Sequence, residues 1–452
     1  MTLADLLAAA AAAEPELLAL FRELIRFPTV NTGVMPTGDE TPCAEFVRDL
    51  LAAEGLAAEV FEAAPGRGNL LATLPGGGGG RSLLLMSHLD VVPPGDVSRW
   101  THDPFAADVV DGWVFGRGAN DCKGLAAAEI QAVRLLRRSG VTLAGDLKLA
   151  LGADEESGGR YGFAALAEHR SEALRADLGL NEGGGAPVRL ADGRLAYLVA
   201  NGEKGRCEAT IRILGRSEHA ASPWLADSPL PRLAEVLRRL AAFNPQPFVD
   251  HPAVRSVTEL WGEPLPPASE FDAFLARHAA AAPGDASRLR ALSRMTLAPT
   301  VVRAGAKSNA IPDSAELVVD ARLLPQQSAR DVERTLGRLL AGLPGVTIAV
   351  STTAAPSADE LTPAIEAALR QSLAAVGPAA ALLPTLCIGF TDSRLVRPLG
   401  VPVMGFAPLP PATTLERCGC HNLDEQFPLA AVAFRVRWLL ALAWQWCGGS
   451  GG

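Results

Sequence analysis

The chain has no surplus of positive charge. Its 41 lysines and arginines are outnumbered by 50 aspartates and glutamates, for a formal net charge of −9. That balance argues against a nucleic-acid surface and against a polybasic membrane anchor. Long apolar runs are missing too. None reaches the roughly 18 uncharged apolar residues of a spanning helix, so no membrane contact is expected. Cysteine is sparse: seven residues, at 43, 122, 207, 387, 418, 420 and 447, scattered and odd in number. They argue against a disulfide framework and suit a reducing cytoplasm. The alanine-rich opening lacks the basic stretch of a signal peptide, carries Asp5 early and runs into Glu14-Pro15-Glu16, so a surface helix is expected there. Gly76–Gly80 has neither a Gly-Lys-Ser/Thr ending nor a following helix, which makes it a loop rather than a phosphate cradle. No Gly-x-Ser-x-Gly elbow ends a predicted strand, which removes the usual signature of a serine hydrolase.

What is present is enough chain for two domains: 452 residues, 48% hydrophobic and 20% charged. Leu17, Leu18, Phe21, Leu24 and Ile25 fall at helical spacing, as do Phe46, Val47, Leu50 and Leu51. Short apolar runs at 69–74, 82–87 and 147–152 alternate with a helical pattern at 125–138, which predicts an α/β sheet. From residue 202 the texture changes. A strand at 206–214, a helix at 230–243, strands near 300–304 and 316–322, a helix at 329–340 and a strand at 346–351 describe a small α+β sandwich. A proline-rich polar stretch, 244–294, interrupts it. After Pro356 the α/β texture returns. The expected architecture is a mixed-sheet α/β catalytic domain (1–201 and 355–447) with an inserted α+β sandwich lid (202–354) and a flexible glycine-rich tail (448–452).

Five segments carry the chemistry: S-H-L-D-V-V-P at 87–93, G-R-G-A-N-D-C-K-G at 116–124, D-E-E-S-G-G at 154–159, L-N-E-G-G-G at 180–185 and C-H-N at 420–422. They offer imidazoles and separated carboxylates among small residues, the inventory of a two-metal hydrolytic centre. His88 and Asp90, two apart at a strand end, share a face. They read either as a ligand with the carboxylate that orients its ring or as a satisfied His–Asp pair. Asp121 is a carboxylate able to bridge two cations or a cap for the helix beginning near Gly124; Lys123 beside it reads as a local salt-bridge partner. In Asp154-Glu155-Glu156 adjacent like charges favour a place beside a cation, with one member left to move protons; a solvated acidic turn is the competing reading. Glu182 repeats the theme. His421 follows Cys418 and Cys420, but a thiolate zinc knuckle would want a fourth nearby ligand that is missing. His219, in a polar loop before the long lid helix, is an oxyanion donor or a surface residue. Asn309 lies in a second lid loop. Arg394, in G-F-T-D-S-R, suits either two-pronged capture of a carboxylate or a surface Arg–Asp pair.

In this order the segments resemble the dinuclear zinc hydrolases that include aminoacylase, carboxypeptidase S, glutamate carboxypeptidase and succinyl-diaminopimelate desuccinylase, over almost the whole chain. The resemblance implies two Zn²⁺ ions, with Co²⁺ or Mn²⁺ as substitutes. Asp121 would bridge them, Glu156 and His421 would complete one site, and His88 and Glu182 the other. Asp90 would orient His88, Glu155 would be the general base, and the peptide bond after Asp121 would be cis. Cys122 stands where the family often has an acidic residue or Met, a departure that bears on packing or oxidation. His219 would come from the lid, in many dimers reaching the partner's site; Asn309 would contact substrate and Arg394 its carboxylate. The implied reaction is cleavage of an amide or peptide bond beside a free carboxylate, in an N-acyl amino acid or short peptide, by a cytoplasmic enzyme able to form a homodimer through its lid. A desuccinylase or deacetylase, and a non-catalytic binding protein on the same scaffold, are the alternatives.

Overall fold

The computed structural model describes residues 1–413 and 417–450. Its main body is a ten-stranded mixed sheet. Four neighbouring strands at its centre, Leu147–Gly152, Leu83–His88, Leu178–Asn181 and Val403–Gly405, run parallel. The sequence explains why they lie inside. Leu83 and Leu85 of one strand enter the core on one face, while Leu84 and Met86 enter a second core on the other. A strand buried on both faces has no polar side to alternate with, so it is a continuous apolar run.

The first face is covered by helices Glu14–Arg26, Gly124–Ser139, Pro363–Val376 and Leu429–Trp446. Phe163–His169 covers the other. The parallel centre matters for function because all its strands end at one edge. His88 closes its strand, Asp154 to Glu156 follow Gly152, and Glu182 follows Asn181. In open α/β sheets that carboxyl edge is where ligands collect.

A second sheet is antiparallel, in the order Thr296–Ala304, Ser314–Leu323, Gly205–Leu214, Val346–Ala354. Its inner residues Cys207, Ala209, Ile211 and Ile213 alternate with outer ones and pack on helices Leu230–Ala241 and Ala329–Leu339. The proline-rich polar stretch 244–294 carries secondary structure of its own. It folds into helices Pro252–Trp261, Phe271–His278 and Pro283–Leu292. Phe271, Phe274, Leu289 and Leu292 there share a small core with Leu386 of the main sheet. Two of these helices open on proline, which needs no amide donor in the first turn. Gly449–Ser450 pair with Thr142–Leu143, so those two residues are not the free tail expected; 451–452 lie outside the described residues. Among the described residues no helix is long and apolar enough to cross a membrane.

Candidate metal centre

Asp121 is the pivot of the site. One of its oxygens, Oδ1, lies 3.0 Å from His88 Nε2, and the other, Oδ2, lies 3.1 Å from His421 Nε2. Each imidazole has a further carboxylate: Glu182 Oε1 is 3.6 Å from His88 Nε2, and Glu156 Oε1 is 3.2 Å from His421 Nε2. Thus residues expected from five separate segments meet around one carboxylate. The peptide bond after Asp121 is cis, and Lys123 rather than Asp121 holds the N-cap position of helix Gly124–Ser139, which has no side-chain cap.

Asp90 is fully buried beside His88. The His88 ring presents Nδ1 to the backbone oxygen of Asp90 at 3.0 Å and to its Oδ1 at 3.4 Å. The Asp90 carboxylate also accepts the backbone N–H groups of Glu155 and Glu156, both at 3.1 Å, and Asn31 Nδ2 at 2.8 Å. One carboxylate therefore positions an imidazole and the acidic turn together. Burial, and then the negative charge of Glu182, pushes the Glu155 carboxyl well above the usual range. Burial and Asp121 do the same to Glu182. The Glu156 carboxyl is raised too, mainly by burial. His421 moves up to about 10 through its contacts with Asp121 and Glu156.

Several side chains that hold this arrangement carried no clear sequence signal. Glu425, with no exposed surface, accepts the backbone N–H groups of Gly118, Asn120 and Asp121 at 3.1, 2.9 and 3.1 Å, and Arg117 Nη1 at 2.6 Å. It thereby clamps the Asp121 loop. Gly118 in that loop has φ +83°, and a Cβ there would fall 2.4 Å from Val91 Cγ1. Asp154, the first acid of its triplet, accepts Asn31 Nδ2 at 3.1 Å and Arg67 Nη2 at 3.2 Å, so it is an anchor. Lys123 is not the salt-bridge partner expected: its buried Nζ donates to the Phe27 carbonyl at 2.6 Å, and burial lowers it to about 8. Cys122 is buried, with His88 N 3.2 Å from its Sγ, so its part is packing. Cys420 donates to Asp121 Oδ2 at 3.0 Å.

The remaining expected residues stand apart. His219 pairs through the backbone with Ala310, is exposed, and accepts Ala221 N–H on its Nδ1 at 3.1 Å. Asn309, also exposed, accepts Ala220 N–H on its backbone carbonyl at 3.0 Å. Neither touches the donor cluster among the described residues. Arg394 is 9% exposed, stacks 5.0 Å above Phe390 and donates Nη2 to Gly158 O at 2.8 Å.

The donor set fits divalent cations. His88, Asp121 and Glu156 offer ligand atoms within 4.8 Å of one another, as do Asp121, Cys420 and His421. Among the described residues, none of Asp121, Glu155, Glu156 and Glu182 is paired with a lysine or arginine, so the crowded acids lack a fixed counter-charge. Nitrogen and carboxylate donors accommodate zinc, cobalt or manganese without selecting among them.

Residues 84–445 match the family described as peptidase family M20/M25/M40. The chain belongs to this family. Among curated M20 relatives, succinyl-diaminopimelate desuccinylase of Rhodospirillum centenum is 37% identical over 234 residues, covering 50% of this chain and 57% of that protein. The protein of the same name from Parvibaculum lavamentivorans is 34% identical over 236 residues, covering 51% and 55%. The chain thus spans about half the length of the curated relatives it matches. An M20 family metallo-carboxypeptidase from Sulfolobus solfataricus shares the fold with a TM-score of 0.73 at 20% identity, covering 96% of this chain and 99% of that one. Human carnosine dipeptidase 1 gives 0.65 at 17%, covering 98% and 100%. A dinuclear metal-binding M20 peptidase from Bacillus subtilis gives 0.61 at 15%, covering 96% and 98%. At these identities the structural likeness speaks to fold alone.

Proposed function

We infer that this M20 protein is a metal-dependent amidohydrolase that cleaves an amide or peptide bond beside a free carboxylate, in N-acyl amino acids or short peptides. The observation that carries the reading is Asp121, whose two oxygens face His88 and His421 at 3.0 and 3.1 Å. Asp121 would be shared between two cations, with His88 and Glu182 holding one and Glu156 and His421 the other. The ions would be zinc, or cobalt or manganese in its place. Bound there, such a pair supplies Lewis acidity to a carbonyl and makes hydroxide available near neutral pH.

Glu155 is the general base. Its raised carboxyl suits a group that takes a proton from the attacking water and passes it to the leaving amine. Asp90 holds Glu155 and His88 in one frame through the contacts above. Arg394 receives the substrate carboxylate, and Asn309 adds a polar contact. His219 donates to the oxyanion once the 202–354 segment closes as a lid over the 1–201 and 355–447 body, within one chain or across a homodimer formed through that lid. The cytoplasm is the compartment that suits these cysteines.

A desuccinylase is the second reading, favoured by the names of the curated relatives over half the chain. The test is to quantify bound metal, then assay N-acyl amino acids, N-succinyl amino acids and dipeptides with and without chelator. Hydrolysis abolished by chelator and restored by zinc, cobalt or manganese is expected. Activity that survives complete metal removal would overturn the reading.

A further inference from the structure

A cavity of about 300 Å³ opens beside the donor cluster, with Asp121 and Glu182 in its wall. Two guanidinium side chains line it as well, Arg288 and Arg435, and neither belongs to a segment that suggested chemistry. Arg288 comes from helix Pro283–Leu292, in the proline-rich polar stretch, and Arg435 from helix Leu429–Trp446. Arg435 is 6% exposed, yet its Nε has no hydrogen-bond partner. Its guanidinium lies 4.6 Å from the centroid of the Phe427 ring. Arg288 donates Nη2 to the Thr385 hydroxyl at 3.0 Å. Among the described residues neither guanidinium has a carboxylate within ion-pair distance. Glu129, near Arg435, accepts Ser87 Oγ at 2.7 Å instead.

A buried guanidinium that forms no ion pair is costly, and a bound anion would offset that cost at Arg435, with the half-buried Arg288 beside it. Arg394 does not line this cavity; its Nη2 donates to the Gly158 carbonyl at 2.8 Å. Leu125, Leu198 and Leu409 give the cavity apolar walls suited to a short methylene stem. A planar fork of donors at one part of such a slot matches a carboxylate.

We propose that Arg288 and Arg435 make this cavity an anion-reading subsite, which takes a second carboxylate of the substrate, distinct from the one assigned to Arg394. The inference rests on the hydrolase reading above and adds that preferred substrates are dicarboxylates.

The test uses the metal-loaded protein and substrate pairs that differ only in the second carboxylate: N-succinyl- against N-succinamoyl-alanine, and N-acetylglutamate against N-acetylglutamine. In at least one pair kcat/KM is expected to favour the acid by roughly 10- to 100-fold, the range of a charged hydrogen bond. That ratio should fall toward one in Arg435→Met and in Arg288→Met, and recover in part in Arg435→Lys. Calorimetry with glutarate and butyrate gives a second readout that needs no turnover: glutarate should bind more tightly, and the arginine variants should lose the difference. If no substrate is hydrolysed but glutarate binding depends on both arginines, the hydrolase reading fails and the subsite stands. Pairs that are not discriminated, or discrimination that both methionine variants retain, would overturn the subsite. Arg288→Met is read by itself if Arg435→Met does not fold.

Discussion

His88 and His219 are assigned to one reaction, and the fold treats them in opposite ways. His88 is 1% exposed, ends a strand buried on both faces, and has an acceptor at each ring nitrogen. His219 is exposed on a short strand pair, and among the described residues its ring bonds only the turn that follows it. The metal donors are thus assembled by the folding of one body. The lid residues His219 and Asn309 are held only locally, and on the proposed reading they would reach the site through a further movement or a partner. Preorganisation is concentrated where charge must be balanced, and freedom is kept where substrate must enter.

The comparison can be broken at its buried side first. Glu155→Gln should keep both metals and lower kcat by about 10³-fold, as expected for removal of a positioned base. Metal analysis alongside steady-state kinetics checks this, and near-normal turnover would remove Glu155 from the base role. On the exposed side, His219→Ala should lower kcat by about 10²-fold, the usual cost of one oxyanion donor, with metal content unchanged. Metal loss in that variant would erase the distinction between the two histidines. Mixing His219→Ala with Glu155→Gln protein sharpens it, since activity regained in the mixture would place His219 in a partner's site.

Glu425→Gln should weaken metal binding by about 10- to 100-fold, the range for groups that hold a ligand in place, measured by chelator competition. Unchanged affinity would mean that the Asp121 loop is held by something other than this clamp.

The smallest effect on turnover is expected from Glu129→Gln. Burial raises the Glu129 carboxyl to about 8 from an unfolded value near 4.5. Between those values the unfolded chain releases a proton that the folded protein keeps. The stability this group contributes is therefore complete below 4.5 and declines as pH rises through 8, by up to ~1.4 kcal/mol per pH unit. The Gln variant should lack that slope in chemical denaturation followed from pH 5 to 8; an identical slope would mean that Glu129 is ionised in the fold.

What was legible in the sequence follows the same division. His88, Glu156 and Glu182 sit at or just beyond apolar runs, so the pattern that marks a buried strand also marks where its ligand-bearing end falls. Glu425 was not legible, because its partners are backbone amides some 300 residues earlier and backbone leaves no trace in composition. The helices between 252 and 292 were hidden for another reason: they are short, opened by proline in two cases, and stabilised by a core they share with Leu386. Arg394 was found as a residue, but its contact with the Gly158 carbonyl is tertiary and carries no local pattern.

The clamp formed by Glu425 also bears on biosynthesis. A ribosome delivers Asp121 long before it delivers His421 and Glu425, so for most of translation the nascent polypeptide carries an unrestrained acidic loop with half its grip missing. Chains released short of residue 421 would emerge with one of the two imidazoles that face Asp121 and without the carboxylate that clamps its loop.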